Sequence, residues 1–126
     1  MIAVDTSSFV AFFAGESGRD VEWVRRSIQD EALVIPPVVI AELFSARNLC
    51  LKVKKIITGI PILDLAPGFW QRTGEVRAKL LAKGKKARLA DTMIAVYCID
   101  HNLPLIARDG DYRHFVRPFG LDLRSE

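Results

Sequence analysis

The chain has 126 residues with 18 Lys and Arg against 15 Asp and Glu, a formal net charge of +3 and a pI near 9.1. Half of its residues are hydrophobic and 26% are charged, with a mean hydropathy of +0.18, which describes one ordinary globular domain and excludes a disordered or fibrous chain. The longest apolar stretch, 33–41, is nine residues and contains Pro36 and Pro37, far short of the ~20 that a membrane-spanning helix needs.

Short apolar runs alternate with longer amphipathic ones, without repeats or a Gly/Ser-rich linker, in the manner of a βαβα chain. Residues 1–4 form a short buried strand. They meet a carboxylate at Asp5 with no basic segment before them, so no secretory leader is expected and the cytosol is the expected compartment. Asp5-Thr6-Ser7-Ser8 can cap a helix over 9–14. A second helix runs over 19–29 on the apolar positions Val21, Trp23, Val24 and Ile28, and 32–35 is the next strand. Pro36 and Pro37 stop it, and Pro37 suits the first turn of a helix carrying Val38, Ile40, Ala41, Leu43 and Phe44. The basic segment Lys52-Val53-Lys54-Lys55 leads to Gly59 and a third strand over 61–65. Pro67 opens a long helix to about Lys83, with Gly84 as its C′ residue. The helix 88–100 is apolar around nearly its whole circumference and must be buried. A fourth strand covers 103–107 and a last edge strand 116–123. The expected sum is a single α/β domain over 1–126, a three-layer α/β/α sandwich with a mostly parallel sheet of four or five strands. Cys50 and Cys98, each among apolar neighbours, are expected to be buried free thiols, too few for a zinc cluster.

In open α/β sheets ligands collect beyond the carboxyl ends of the strands, where loops converge and helix N-termini point inward. Asp5 and Asp109 fall at two such ends; Asp91 lies in the first turn of the buried helix, and Glu42 on the helix after the second strand. A charged Asp91 in so apolar a helix costs several kcal/mol unless something compensates it. Singly, each acid has an ordinary reading: Asp5 as an N-cap, Glu42 as a partner of Arg47, Asp91 as a helix-start acid, Asp109 as a turn former. Four at one rim would repel one another unless a cation sat among them. Neither His101 nor His114 stands at ligand spacing to another His or Cys, so the all-oxygen set points to magnesium or manganese over zinc. Setting the four acids aside leaves 18 positive against 11 negative residues, a basic surround for an acidic hole that would attract polyanions. Arg77, Lys79, Lys83, Lys85, Lys86 and Arg88 run without an acid just ahead of Asp91, either as a phosphate track or as a solvated helix end. A serine hydrolase is unsupported because Ser7 and Ser8 lie in no nucleophile elbow, and an aspartyl phosphatase would want an acid where Ser7 stands.

Asp5-Thr6-Ser7, Val39-Ile40-Ala41-Glu42-Leu43, Ala90-Asp91-Thr92-Met93-Ile94-Ala95 and Ile106-Ala107-Arg108-Asp109-Gly110-Asp111-Tyr112 together resemble the PIN-domain ribonucleases, most closely the VapC toxins, over essentially the whole chain. The resemblance implies that Asp5, Glu42, Asp91 and Asp109 are a catalytic, metal-holding quartet, with Thr6 or Ser7 orienting a ligand or water and Asp111 as an accessory acid. Asp5 and Asp91 come first as direct ligands of Mg²⁺ or Mn²⁺; Asp109 would hold a second metal or a bound water, and Glu42 would orient water or act as base. It also implies RNA as substrate, cleaved by in-line attack of water to leave a 5′-phosphate, with Lys83, Lys85, Lys86, Arg88 and Arg108 as RNA contacts. An antitoxin protein and a second copy of the chain are the implied partners. Phe9, Phe12, Phe13 and Trp23 are expected mostly in the core; any that are exposed could take an apolar antitoxin segment. Ala107 departs from the pattern, since the family commonly carries a hydroxyl residue there; the change removes a hydrogen bond behind Asp109 and leaves the ligand in place. The alternative on the same fold is a module that holds RNA or protein without cutting it, and a complete quartet weighs against that alternative.

Overall fold

In the computed structural model, which describes residues 1–125, four short strands form one wholly parallel sheet. They are β1 (Ile2–Val4), β2 (Leu33–Val34), β3 (Leu105–Ile106) and β4 (Leu123–Arg124), in the order β2-β1-β3-β4. Ala3 pairs with Val34 on one side and Leu105 on the other, and Leu105 in turn pairs with Leu123. Successive residues of a strand face opposite sides of the sheet. Ala3 and Val4 are both wholly buried, as are Leu105 and Ile106, so both faces of the central strands are covered. A three-layer sandwich follows.

The covering helices are α1 (Thr6–Phe13), α2 (Arg19–Gln29), α3 (Pro37–Phe44), α4 (Leu51–Thr58), α5 (Phe69–Ala82), α6 (Leu89–Asp100) and the short α7 (Val116–Phe119), preceded by a 3₁₀ helix at Gly110–Phe115. Asp5 caps α1 and Pro37 begins α3, as the sequence predicts. Helix α6 buries Thr92 and the run Ile94 to Cys98, so its all-round apolarity is used; it packs against α3, α5 and the 3₁₀ helix. No helix among the described residues is long and apolar enough to cross a membrane.

The basic segment 52–55, to which the sequence assigns no element, lies inside a helix, α4, whose Val53 and Ile57 at i, i+4 turn inward, with Ile57 fully in the core. Three expectations are corrected. Residues 61–65 form no strand: the phenol of Tyr97 donates to the Leu63 carbonyl and accepts from the Leu63 N–H, both at 3.0 Å. A single side chain thus satisfies backbone groups that a sheet ladder would otherwise take. The first half of the stretch 116–123 is helical, because α7 continues the 3₁₀ helix until Gly120 adopts a left-handed φ of 79°; only Leu123–Arg124 reaches the sheet. Of the cysteines, Cys98 is buried as expected and Cys50 is exposed, since it precedes α4 on the surface instead of packing beneath it. Phe9 is in the core, while Phe12, Phe13 and Trp23 are half-buried against it.

Four helices end in the same left-handed reversal, with the N–H of the second residue past the cap bonded back to the carbonyl five residues earlier: Glu16 to Ala11, Ala32 to Ser27, Lys85 to Leu80 and Leu103 to Cys98. The left-handed position is Gly15, Gly84 and Asn102 in three of them, residues that tolerate it, but Glu31 with φ 52° in the fourth. A side chain with a Cβ costs about 1 kcal/mol or more there. Replacing Glu31→Gly is therefore expected to stabilise the protein by about 1 kcal/mol, read as a higher urea midpoint at unchanged slope. A midpoint that stays or falls would show that Glu31 is held by contacts worth more than the strain.

Candidate active site

The chain passes from β1 to β2 on one side and later to β3 on the other, so the loops leaving β1 and β3 diverge and open a crevice at their carboxyl ends. Asp5 is the first residue after β1. Its Oδ1 accepts from the Ser8 N–H at 3.1 Å, capping α1, and Ser7 Oγ lies 3.0 Å from both carboxylate oxygens. The capping reading and the site reading of Asp5 thus hold together. Asp109 caps the 3₁₀ helix through the Asp111 N–H at 2.9 Å. Glu42 on α3 has no bond to Arg47; it accepts from Thr6 Oγ1 at 2.7 Å, tying α1 to α3. Asp91, in the first turn of α6, receives a long 3.4 Å bond from the Tyr112 hydroxyl on Oδ1, while its Oδ2 is buried without a hydrogen-bond partner.

One carboxylate oxygen each from Asp91, Asp109 and Asp111 lie within 4.8 Å of one another. Asp111, expected as an accessory acid, therefore converges with Asp91 and Asp109, while Asp5 and Glu42 lie outside that trio. Burial, followed by the charges of Asp91 and Asp109, pushes the Asp5 carboxyl from its ordinary 3.8 to about 6, against the opposing bonds from Ser8 and Ser7. Asp91 is pushed up by burial and then by Asp109 and Glu42. The charges of the cluster thus act on Asp5, and that of Glu42 on Asp91, but neither Asp5 nor Glu42 is among the three acids whose oxygens converge. Burial, then the charges of Asp5 and Asp91, also holds the Tyr112 phenol well above its usual range, so it remains a donor to Asp91. Sequence reading gave Tyr112 no role, although its position three residues after Asp109 put it within reach. A divalent cation fits this site: the donors are all oxygens, three converge, and the buried Asp91 Oδ2 lacks any other partner. Asp91, Asp109 and Asp111 would hold it, with Asp5 beside them.

The basic residues divide. Lys86 reaches Asp111 at 3.4 Å, Lys83, Lys85 and Arg88 are exposed, and Arg77 donates to the Ala87 carbonyl at 2.8 Å. Arg108, expected as an RNA contact, has a different occupation. Its guanidinium grips the fully buried Asp20 through Nε and an Nη at 2.7 and 3.1 Å and reaches Glu16 at 3.1 Å, while Ser8 Oγ donates to Asp20 at 2.9 Å. Burial raises the Asp20 carboxyl, but the bonds from Arg108 and Ser8 outweigh it and hold the group below the usual range. This network, linking α1, α2 and the residue before Asp109, is absent from the sequence reading. A signal for it was present, because Asp20 shares a helix face with Val24 and Ser27 at i, i+4 and i+7, on the side that turns inward. Ala107 is wholly buried at the end of β3, so the anchoring that a hydroxyl there would give falls to Arg108 and the Asp109 cap.

The PIN domain family model matches residues 2–118, and the chain belongs to that family. Its sequence is 28% identical, over 132 aligned positions covering 99% of this chain and 98% of the relative, to ribonuclease VapC11 of Mycobacterium tuberculosis and, in the same measure, to a VapC ribonuclease of Mycobacterium bovis. The fold is similar to that in the crystal structure of VapBC2 from Rickettsia felis bound to a DNA fragment from their promoter (TM-score 0.72, 21% identity, 100% of this chain and 99% of that one). It is also similar to that in the structure of FitAcB from Neisseria gonorrhoeae (TM-score 0.70, 21% identity, 98% and 96%).

Two measurements test this arrangement. A carboxyl whose pKa is raised by folding contributes stability that is complete below its unfolded value and lost as pH rises through the folded one. Without divalent ions, the wild type is therefore expected to gain about 1.4 kcal/mol relative to Asp5→Asn, which keeps the cap, when pH falls from about 7.5 to about 5. A difference between the two proteins that is flat across that window would refute the coupling. Arg108→Ala would strand the Asp20 carboxylate and is expected to cost about 3 kcal/mol in urea unfolding. A loss below about 1 kcal/mol would mean that the pair contributes little to the fold.

Proposed function

We propose that the chain is a divalent-metal-dependent endoribonuclease, the toxin of a VapBC-type toxin–antitoxin pair. The observation that carries the reading is the convergence of Asp91, Asp109 and Asp111 around a buried Asp91 oxygen with no partner, at the switch point of the sheet. The ribonuclease names of the sequence relatives support the activity, and the VapBC and FitAcB structures that share the fold support the setting.

A bound Mg²⁺ or Mn²⁺ supplies Lewis-acid polarisation of a phosphodiester and lowers the pKa of water. The side chains do the rest. Asp91, Asp109 and Asp111 offer the ligand oxygens, and Ser7 and the Ser8 N–H fix the Asp5 carboxylate beside them. Glu42 is exposed and fixed by Thr6, so it can orient the attacking water and accept its proton. Water adds to phosphorus in line with the departing 3′ oxygen, which takes up a proton; the downstream product keeps a 5′-phosphate.

An antitoxin would cover apolar surface, and α1 presents the half-exposed Val10 beside half-buried Phe13. A homodimer and a cytoplasmic setting belong to the same reading, the dimer being open to sedimentation analysis.

The purified chain is expected to cut a mixed RNA pool in Mn²⁺ or Mg²⁺ and to stop when the ion is chelated. Asp91→Asn is expected to reduce the rate by at least about a hundredfold while keeping a cooperative melt. Metal-independent RNA binding without products would instead favour a module that holds RNA without cutting it.

A further inference from the structure

A groove of about 430 Å³ lies next to the acidic cluster, and the metal site does not account for it. Lys83 and Lys85 line one wall and Arg113 and Arg117 the other, with Leu80 and Val116 between them; no acid lines it. Both walls are held by the backbone. Lys83 and Lys85 flank Gly84, whose φ of 70° reverses the chain after α5, with the Lys85 N–H bonded to the Leu80 carbonyl at 3.0 Å. Arg113 lies in the 3₁₀ helix that Asp109 caps, and Arg117 in α7, which continues it. His114 Nδ1 and the Lys86 carbonyl, 3.1 Å apart, join the two walls. Among the described residues none of the four cations has a carboxylate within ion-pair distance, whereas Arg72 and Arg124 each have one and Arg108 has two. Four like charges converging on one cleft attract a polyanion.

Both walls of the groove reach toward the acidic site. The Arg113 guanidinium comes within 3.7 Å of where a Cβ on Gly110 would sit, and Gly110 separates Asp109 from Asp111. Lys86, next to Lys85 in the chain, pairs with Asp111. A strand with one phosphodiester at the acids would therefore meet Arg113 first and the remaining cations beyond it.

We propose that this groove binds the single-stranded RNA flanking the scissile bond, its four cations pairing with successive phosphates and its Leu80–Val116 floor lying under sugar and base. The proposal rests on the ribonuclease reading and deepens it by assigning Arg113 and Arg117, on a second wall, to substrate binding and releasing Arg108 from it. The reach of both walls toward the acidic cluster favours a strand that runs through both sites over an acidic protein that would use the groove alone. Among the described residues no Phe, Tyr or Trp lines the groove, and its one ring, His114, is tied to the Lys86 carbonyl, so the grip is mainly electrostatic, salt-dependent and tolerant of sequence.

The test titrates Asp91→Asn protein, which holds RNA without cutting it, with a fluorescent single-stranded RNA of about 12 nucleotides. Added to that background are Arg113→Ala, Arg117→Ala and the pair Lys83→Ala with Lys85→Ala. The pair Lys52→Ala with Lys54→Ala on α4 removes as much charge elsewhere and serves as the control. Each groove residue is expected to contribute about threefold in affinity, and all four together about thirtyfold or more. The slope of log affinity against log salt should fall by about 0.7 per residue, and the α4 pair should change affinity by less than about twofold. In the active protein the groove variants should raise KM while kcat stays within about twofold. Groove variants that weaken RNA no more than the α4 pair, or that lose polyglutamate binding while RNA binding is intact, overturn the proposal. If the wild type cuts nothing while the groove variants lose RNA, the ribonuclease reading fails and the groove stands; cutting with silent groove variants is the reverse.

Discussion

Carboxylates confined to one partly buried pocket repel one another, and the arrangement around Asp5, Asp91 and Asp109 exists only because the rest of the fold forces it. Asp5 is raised to about 6 by burial and its neighbours, and Asp91 is pushed up by the same causes. A protein selected for stability alone would put neutral groups there, since each charge costs free energy when unpaired. The cost is tolerated because the ladder of a parallel sheet fixes where β1 and β3 end, with Asp5 directly after β1 and Asp109 in the turn that follows β3. A divalent cation would satisfy the three converging carboxylates and the bare Asp91 oxygen at once.

Holding such a pocket open requires stiff supports, and these come from polar groups outside it. Thr6 bridges α1 to Glu42 on α3, so neighbouring helices cannot slide without breaking a 2.7 Å bond. Arg108 locks the residue before Asp109 onto the buried Asp20 of α2, and Ser8 completes the satisfaction of that carboxylate. Two adjacent residues thus have opposite tasks: Arg108 neutralises a buried charge, and Asp109 presents one. The strong paired geometry of a guanidinium on a carboxylate suits the first task. It also makes up for the hydroxyl that Ala107 lacks, because Asp109 is anchored from its neighbour and by its own cap on the 3₁₀ helix.

Charge is sorted on a larger scale in the same way. The basic residues near the site separate into those with partners, such as Arg108 and Lys86, and those that line an acid-free groove beside the acids. Net charge alone, at +3, says little about this. What matters is that the end of α5 and the 3₁₀ helix are brought side by side, so that cations separated by some thirty positions in the chain converge.

The sequence by itself determined the layered α/β architecture and the parallel sheet, and it singled out the acids. Short apolar runs between amphipathic ones demand a covered sheet; Asp5, Pro37 and Gly84 mark element ends through backbone chemistry local to each. The carboxylate in the apolar helix 89–100 announced its own need for compensation. These are signals of a few residues' span, and they survive without knowledge of the rest of the chain. Only the tertiary structure decided that Asp111 joins Asp91 and Asp109, that Arg108 turns away toward Asp20, that the Leu63 backbone pairs with the Tyr97 phenol and not with a strand, and that Arg113 and Lys85 line one groove. Each is a choice among partners that local propensity leaves equal. A carboxylate, a guanidinium or a peptide group is satisfied by any complementary group that packing brings within bonding distance, and only the folded chain determines which one that is.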